Sequence, residues 1–147
     1  MPDRVSVEIH VNNLGGWPVQ EDRLAQACRT VFVEEEVSEG EVSVTLMGDE
    51  AIQAMNLEYF DKDWPTDVIA FSLHGADEPV LGDVYLGYQQ ARRQADELGI
   101  SLGEELLRLV IHGTLHVIGY EHPEGDGRFE CDMYRKQEAL LESLSRT

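Results

Sequence analysis

The sequence predicts one α+β domain spanning residues 1–147, in which a small mixed sheet of about four strands packs against about five helices. Three observations support this fold class. The 147-residue chain has the length of one ordinary domain and shows no internal repeat or linker. Its composition is 42% apolar, which is enough to build a core. Its apolar residues alternate between strand and helix periodicity in the order β-α-β-α-β-β-α-α-α.

The first half of the chain is predicted to alternate strands with helices. Residues 5–11 and 42–46 alternate apolar and polar side chains with a period of two, which is typical of strands. Asp49 is predicted to cap the second helix. The first helix spans residues 21–36, and its apolar face comprises Leu24, Ala27, Cys28, Val31 and Phe32. The apolar face of the second helix comprises Ile52, Met55 and Tyr59.

The third and fourth strands follow a loop at residues 60–67, where Pro65 and several aspartates disfavour regular structure. The apolar run at 68–73 predicts a buried strand, and 84–86 predicts another after a turn at 76–79. These two strands are close enough in sequence to pair antiparallel. The first two strands, in contrast, need a helical crossover.

Three helices are predicted to complete the fold. Residues 89–98 form the first, which Gly99 ends. Ser101 and Glu104 form a capping box for the next helix, which runs to about Ile118 and ends at Gly119. The last helix covers about 129–144.

The charge balance narrows the classes of partner. The chain has 11 Lys and Arg against 29 Asp and Glu, so its formal net charge is −18. Nucleic-acid binding normally requires a basic surface, and an anionic membrane is an unfavourable partner for so acidic a chain. There is no secretory signal and no apolar run of membrane-spanning length, so a cytoplasmic location is expected. Cys28 and Cys131 are expected to be reduced thiols.

The chemistry concentrates in the segment HGTLHVIGYEH at residues 112–122. His112 and His116 are four residues apart on a predicted helix, so their imidazoles share one face. Gly119 lets the chain leave the helix and return His122 as a third ligand. Three imidazoles suit one zinc ion and leave a fourth position for water or substrate. His10 and His74, in a strand and a turn, are expected to be ordinary histidines.

The metzincin peptidases share the H-x3-H-x5-H spacing but carry a glutamate directly after the first histidine as general base. Gly113 occupies that position here and cannot accept a proton. The spacing therefore favours metal-assisted hydrolysis, and the missing glutamate argues against a peptide substrate.

The motif resembles the H-G-x-L-H-x-x-G-Y-D-H signature of the YbeY family of bacterial endoribonucleases, and the resemblance extends over about residues 40–145. NLEY at 56–59 and KD at 62–63 resemble the family's N-x-x-Y-R-x-K-D stretch. PTDVIAF at 65–71 and LGDV at 81–84 resemble further family segments. Met133, Gln137 and Glu138 resemble its M-x-x-x-Q-E helix.

The resemblance implies a single α+β domain with one Zn2+ ion held in a cleft by His112, His116 and His122. It implies a metal-dependent endoribonuclease specific for single strands, acting on ribosomal RNA. Its roles would be maturation of the small-subunit RNA 3′ end and ribosome quality control. The ribosome or its small subunit is the implied partner, and a membrane is not. The oligomeric state stays open.

Two residues depart from the family pattern. Phe60 stands where the family has an arginine near the metal cleft, so another cation must serve or the activity is altered. Arg92, Arg93 and Arg108 are candidates only by elimination, and ordinary surface positions on helices are the favoured explanation for them. Glu121 replaces an aspartate and keeps the carboxylate.

The expected mechanism is activation of water by zinc at a site that includes His116, with proton transfer open between carboxylates. Asp83 and Glu121 are the candidates carried forward, and Asp67 is a third; capping or turn roles fit each equally. Two alternatives remain. One is a zinc-stabilised ribosome-assembly factor without catalysis, and the other is a zinc hydrolase acting on a substrate other than RNA.

Overall fold

The computed structural model describes residues 6–123, residue 127 and residues 131–145, and it confirms the fold class and the predicted order of elements. The predicted starts of the first strand at 5 and of the last helix at 129 lie outside the described residues. The elements are β1 (Ser6–Asn13), α1 (Glu21–Glu34), β2 (Glu39–Met47), α2 (Asp49–Phe60), β3 (Val68–Ser72), β4 (Val80–Gly87), α3 (Tyr88–Leu98), α4 (Leu102–Ile118) and α5 (Asp132–Ser145).

The four strands form one mixed sheet in the order β1-β2-β4-β3. β1 and β4 each pair with β2 in parallel, while β3 pairs with β4 antiparallel. This confirms both the helical crossover between the first two strands and the antiparallel pairing of the last two. β1 and β3 are therefore the edges of the sheet.

Helix α4 packs closely against one face of the sheet because glycine stands on both sides of the contact. A Cβ atom at Gly113 would lie 2.6 Å from Cγ1 of Val84 on β4, and one at Gly82 would lie 2.5 Å from Cγ1 of Val117. Neither side of this interface has room for a larger side chain. Gly113, the residue directly after His112, is thus buried against the sheet, where a metzincin-type glutamate could not fit.

Both ends of α4 are set by local sequence, as predicted. The Ser101 hydroxyl accepts a hydrogen bond from the backbone N–H of Glu104, which caps the first turn. At the other end Gly119 adopts φ 119°, a conformation that strongly favours glycine. The two caps fix where the helix ends and so where the chain beyond His116 turns.

Several predicted details are corrected. The residue that caps α2 is Gly48, and Asp49 is the first helical residue. Its carboxylate is drawn away from the helix end into a salt bridge with Arg93, at 2.8 Å. β4 begins earlier than predicted, at Val80. In β3 only Ile69 is buried, because an edge strand has a neighbour on one side alone.

No helix in the described part of the chain is long and apolar enough to cross a membrane. The main core lies between the sheet and helices α1 and α4, with α5 packed against α4. A smaller apolar cluster, including Met47, Ile52 and Ile69, lies on the opposite face beneath α2.

Candidate metal centre

The three predicted histidines converge at the end of α4. His112 and His116 lie one turn apart, and their Nε2 atoms are 3.1 Å from each other. After Gly119 the chain turns back and brings the His122 ring centroid within 5.1 Å and 4.9 Å of the other two. One ligand nitrogen from each ring lies within 4.8 Å of the others. The histidines therefore form a compact three-imidazole group in which a single ion can be shared.

Each imidazole is held by an oxygen atom on its outer side. Nδ1 of His112 lies 2.7 Å from Oε1 of Gln137, and Nδ1 of His116 lies 2.9 Å from the Tyr120 carbonyl oxygen. Nδ1 of His122 lies 3.0 Å from the carbonyl oxygen of Pro123. Carbonyl oxygens only accept hydrogen bonds, so the proton of each neutral ring is assigned to Nδ1. The Nε2 lone pairs are then available as ligands.

The group fits a cation on its own geometry. With both protons on Nδ1, the Nε2 lone pairs of His112 and His116 point toward each other across 3.1 Å. Two lone pairs at that distance repel unless a proton or a cation lies between them. An ion bound by all three rings relieves this repulsion, and imidazole nitrogen is a preferred ligand of zinc.

The His116 ring is in the neutral form, which is the form that can bind a metal. Burial lowers its pKa to about 4, and the neighbouring charges of His112 and then His122 act in the same direction. The hydrogen bond to the Tyr120 carbonyl opposes this shift. His116 is therefore neutral near pH 7, and only the neutral ring binds a metal.

A chain of buried polar groups orients His112 from helix α5. Gln137 is 4% exposed, and its side-chain amide donates to Oε2 of Glu138 at 2.9 Å. Arg108 donates two hydrogen bonds to the same carboxylate and one to Glu105. Burial alone would raise the pKa of Glu138, but hydrogen bonds from Arg108 and Gln137 lower it. The amide of Gln137 is thus fixed with its oxygen toward His112.

A second set of contacts holds the Tyr120 backbone that supports His116. The Tyr120 hydroxyl donates to Oε1 of Glu35 at 2.5 Å, and Nζ of Lys136 donates to the other carboxylate oxygen at 2.6 Å. The Glu35 pKa is lowered because these two hydrogen bonds outweigh its burial. Helix α5 therefore contributes to the surroundings of two of the three histidines.

The imidazoles lie in a cleft of about 940 Å³ that opens to solvent. Charged residues on its walls are Lys62, Asp67, Glu97, Glu105 and Arg108, and its aromatic residues include Phe60 and Trp64. Asp67 accepts hydrogen bonds from the Val68 backbone and from Gln94, so it organises the loop that precedes β3. The cleft combines the candidate metal ligands with both charged and flat apolar surfaces.

The structure does not bring Asp83 into this cleft. Side chains alternate along a strand, and Gly82 and Val84 of β4 face α4. Asp83 therefore lies on the opposite face of the sheet, where the Tyr85 hydroxyl approaches it at 3.4 Å. Glu121 precedes His122 but is exposed and is not among the residues lining the cleft. Proton transfer by either carboxylate stays a prediction.

The structure also shows which of the three arginine candidates line the cleft. Arg93 binds Asp49 and Arg92 lies over the Tyr88 ring at 5.9 Å, and neither lines the cleft. Arg108 does line it, but its charge is matched by Glu138 and Glu105.

Sequence reasoning missed Lys62 as a cleft cation and Gln137 as the partner of His112. Lys62 and Gln137 lie in the KD and QE segments of the sequence, which were used only as points of family resemblance. His10 and His74 lie elsewhere. Nε2 of His10 is 3.2 Å from Glu41, and Nδ1 of His74 accepts from the Leu81 backbone at 3.0 Å.

Fold and site together define a small α+β protein with an open three-histidine metal site. A family model described as Endoribonuclease YbeY matches residues 12–145. An Endoribonuclease YbeY from Bacillus licheniformis is 44% identical over 138 residues, covering 84% of this chain and 86% of the relative. Another, from Moorella thermoacetica, is 39% identical, covering 92% and 96%. The chain belongs to the YbeY endoribonuclease family.

A solved structure has the same architecture. The solution structure of a Thermotoga maritima protein superposes with a TM-score of 0.63 at 28% sequence identity. The match covers 94% of this chain and 88% of that one. The family resemblance drawn from the sequence is confirmed by the family model and the two relatives.

Proposed function

We propose that this protein is a metal-dependent endoribonuclease that cleaves single-stranded ribosomal RNA in the cytoplasm. Its role is maturation of the small-subunit RNA 3′ end and ribosome quality control, in contact with the ribosome. One observation carries the proposal: three imidazoles converge in an open cleft, with one ring nitrogen of each within 4.8 Å of the others, in a chain of a family named for endoribonuclease activity. A metal site with solvent access is suited to hydrolysis.

The proposed metal is one Zn2+ ion held by His112, His116 and His122. When bound, zinc supplies a Lewis acid that makes water more acidic and stabilises negative charge on a phosphodiester oxygen. The protein contributes the orientation of the ligands. Gln137 and the carbonyls of Tyr120 and Pro123 accept hydrogen bonds from the Nδ1 atoms, so the Nε2 atoms would be the ligands of the ion.

Lys62 is the proposed phosphate contact in place of the family arginine. It is exposed at the cleft wall, and within the described ranges it has no carboxylate partner within 4 Å. Arg108, in contrast, is hydrogen-bonded to the carboxylates of Glu105 and Glu138, and that of Glu104 lies 3.9 Å away. An ammonium group with no carboxylate attached can bind an RNA phosphate without first breaking a salt bridge.

The test compares His116→Ala with a control, His74→Ala, whose side chain lies outside the cleft. Zinc content is measured after dialysis, and cleavage is followed on a 5′-labelled single-stranded RNA and on its duplex. We expect His116→Ala to lose both zinc and single-strand cleavage while His74→Ala keeps them. Full zinc content and full cleavage in His116→Ala would refute the proposed site.

The net charge of −18 and the uncharged Phe60 favour one alternative, a zinc hydrolase acting on a substrate other than RNA. The other alternative is a zinc-stabilised ribosome-assembly factor without catalysis. For an assembly factor without catalysis, the wild type would not cleave RNA, and a folded His116→Ala protein would still support ribosome assembly in cells lacking the native protein. A hydrolase for another substrate would instead cleave a casein-type protein while leaving RNA intact.

A further inference from the structure

Two aromatic side chains stand exposed on the wall of the histidine cleft. Phe60 ends helix α2 and is 46% exposed, and Trp64 lies in the loop that follows and is 56% exposed. Both line the same cleft as His112, His116 and His122. Large aromatic faces exposed to water beside a reaction site indicate a surface that is covered by a ligand.

Phe60 is held in place from behind. Its ring stacks on Phe71 of β3, with centroids 6.1 Å apart and planes inclined by 12°. Phe71 in turn contacts the rings of Tyr59 and Tyr85 edge-on, at 5.1 Å and 6.1 Å. The Phe60 ring is therefore supported on its inner side and still 46% exposed.

The Trp64 loop is shaped by backbone contacts. The buried Asn56 amide donates to the Trp64 carbonyl oxygen at 3.0 Å, and the Lys62 N–H bonds to the Asn56 carbonyl at 3.3 Å. Gln53 fixes Asp63 through its carbonyl and its carboxylate. None of these contacts uses the indole, so the loop does not need the Trp64 ring to keep its shape.

We propose that Phe60 and Trp64 bind bases of the RNA substrate by stacking, with Lys62 between them in sequence contacting the phosphate backbone. This inference rests on the proposed function and names how the substrate is held. Aromatic rings bind any base through its face, and only unpaired bases offer that face. The pair would therefore select single strands without selecting a sequence.

The charges of this chain favour RNA binding by stacking over RNA binding mainly through ion pairs with phosphates. With a net charge of −18, the protein as a whole repels RNA, and the Arg108 charge in the cleft is already matched by carboxylates. Stacking does not depend on net charge, whereas phosphate contacts do. Lys62 and continuity with the histidine cleft favour RNA over an apolar protein partner.

The binding experiment uses zinc-loaded full-length protein and fluorescent single-stranded oligouridine and oligoadenine, with an RNA duplex as competitor. Phe60→Leu and Trp64→Leu keep apolar bulk but remove the ring. Each should weaken single-strand binding about 5- to 150-fold, the range seen for loss of one stacked base. Phe60→Tyr keeps a ring face and should bind like the wild type. Leu73→Ala is the control, because Leu73 is 53% exposed outside the cleft.

The salt dependence separates stacking from phosphate contact. Trp64→Leu should leave the slope of log affinity against log salt unchanged, and Lys62→Ala should reduce it by about 0.7, the value for one phosphate of a single strand. Phe60→Arg should increase the slope. Trp64 fluorescence should be quenched by RNA in the wild type. The remaining tryptophan, Trp17, stacks on Tyr88 away from the cleft and should not respond in Trp64→Leu.

Folded Phe60→Leu and Trp64→Leu proteins that bind single strands as tightly as the wild type would overturn the inference. If they still cleave RNA in a zinc-dependent way, the proposed function stands and only the stacking contact is wrong. Absence of RNA binding and cleavage in the wild type would overturn both. Tight binding of a protein instead of RNA at these rings would also refute the inference.

Discussion

Replacing Gln137 by methionine tests whether the buried amide of Gln137 strengthens metal binding by the three histidines. Gln137→Met keeps an unbranched side chain of similar length but removes the acceptor 2.7 Å from Nδ1 of His112. Without that acceptor the His112 ring is no longer held with its proton on Nδ1. Loss of such an outer partner typically lowers metal affinity about 10- to 100-fold. This corresponds to roughly 1.4–2.8 kcal/mol of binding free energy.

The cost to folding is separate and of similar size. Gln137 makes two side-chain hydrogen bonds, to His112 and Glu138, each contributing about 1 kcal/mol net. Glu138 keeps its bonds to Arg108, so it is not left unpaired. The metal-free variant should therefore lose about 2 kcal/mol of stability, or roughly 4–8 °C in Tm for a chain of this length. It should remain folded at 25 °C.

The assay is a competition titration of zinc against a chromophoric chelator at pH 7. The double variant Gln137→Glu with Glu138→Gln supplies a carboxylate acceptor for Nδ1 without placing two carboxylates against each other, and it should bind zinc at least as tightly as the wild type. Gln26→Met is the matched control, because Gln26 is exposed on α1. A folded Gln137→Met protein with unchanged zinc affinity would refute the reasoning, since the amide would then be a packing residue only.

Three further outcomes follow from the described contacts. In urea titrations, Gly113→Ala should lower the free energy of unfolding by about 1–2 kcal/mol, because its Cβ meets Val84. Combining it with Val84→Ala should cost less stability than the two single losses added together. Because the folded-state pKa of Glu138 is lowered, its ion pair with Arg108 stabilises the protein above about pH 4.5 and is lost as the pH falls further; Glu138→Gln should flatten the acid side of the stability curve, and an unchanged curve would contradict this. Burial raises the pKa of the Cys28 thiol to about 12, so a thiol reagent at pH 8 should label Cys28 only after unfolding.

The site was predictable to the extent that it is local in sequence. The spacing of His112 and His116, together with Gly119 and His122, determines most of the three-imidazole geometry within 11 residues. Such short-range geometry follows from helix periodicity and one helix-ending glycine, which the sequence displays directly.

The residues whose positions could not be predicted from the sequence are those that depend on packing between distant elements. Asp83 sits in a predicted strand, but only the docking of α4 on the Gly82 face shows that this carboxylate points away. Gln137 lies 25 residues from His112, and no spacing rule joins them. Arg108 was a candidate cation until its carboxylate partners were known.

The position of α5 has a consequence for how the protein acquires metal. Gln137 orients His112, and Lys136 holds the Glu35 carboxylate that anchors Tyr120 beside His116. All three histidines are synthesised before this helix, so a chain in which α5 has not docked possesses the ligands without their supports. Metal binding at the three histidines and docking of α5 must therefore strengthen each other. The affinity of the site for its metal is then a measure of how completely α5 has docked on the rest of the domain.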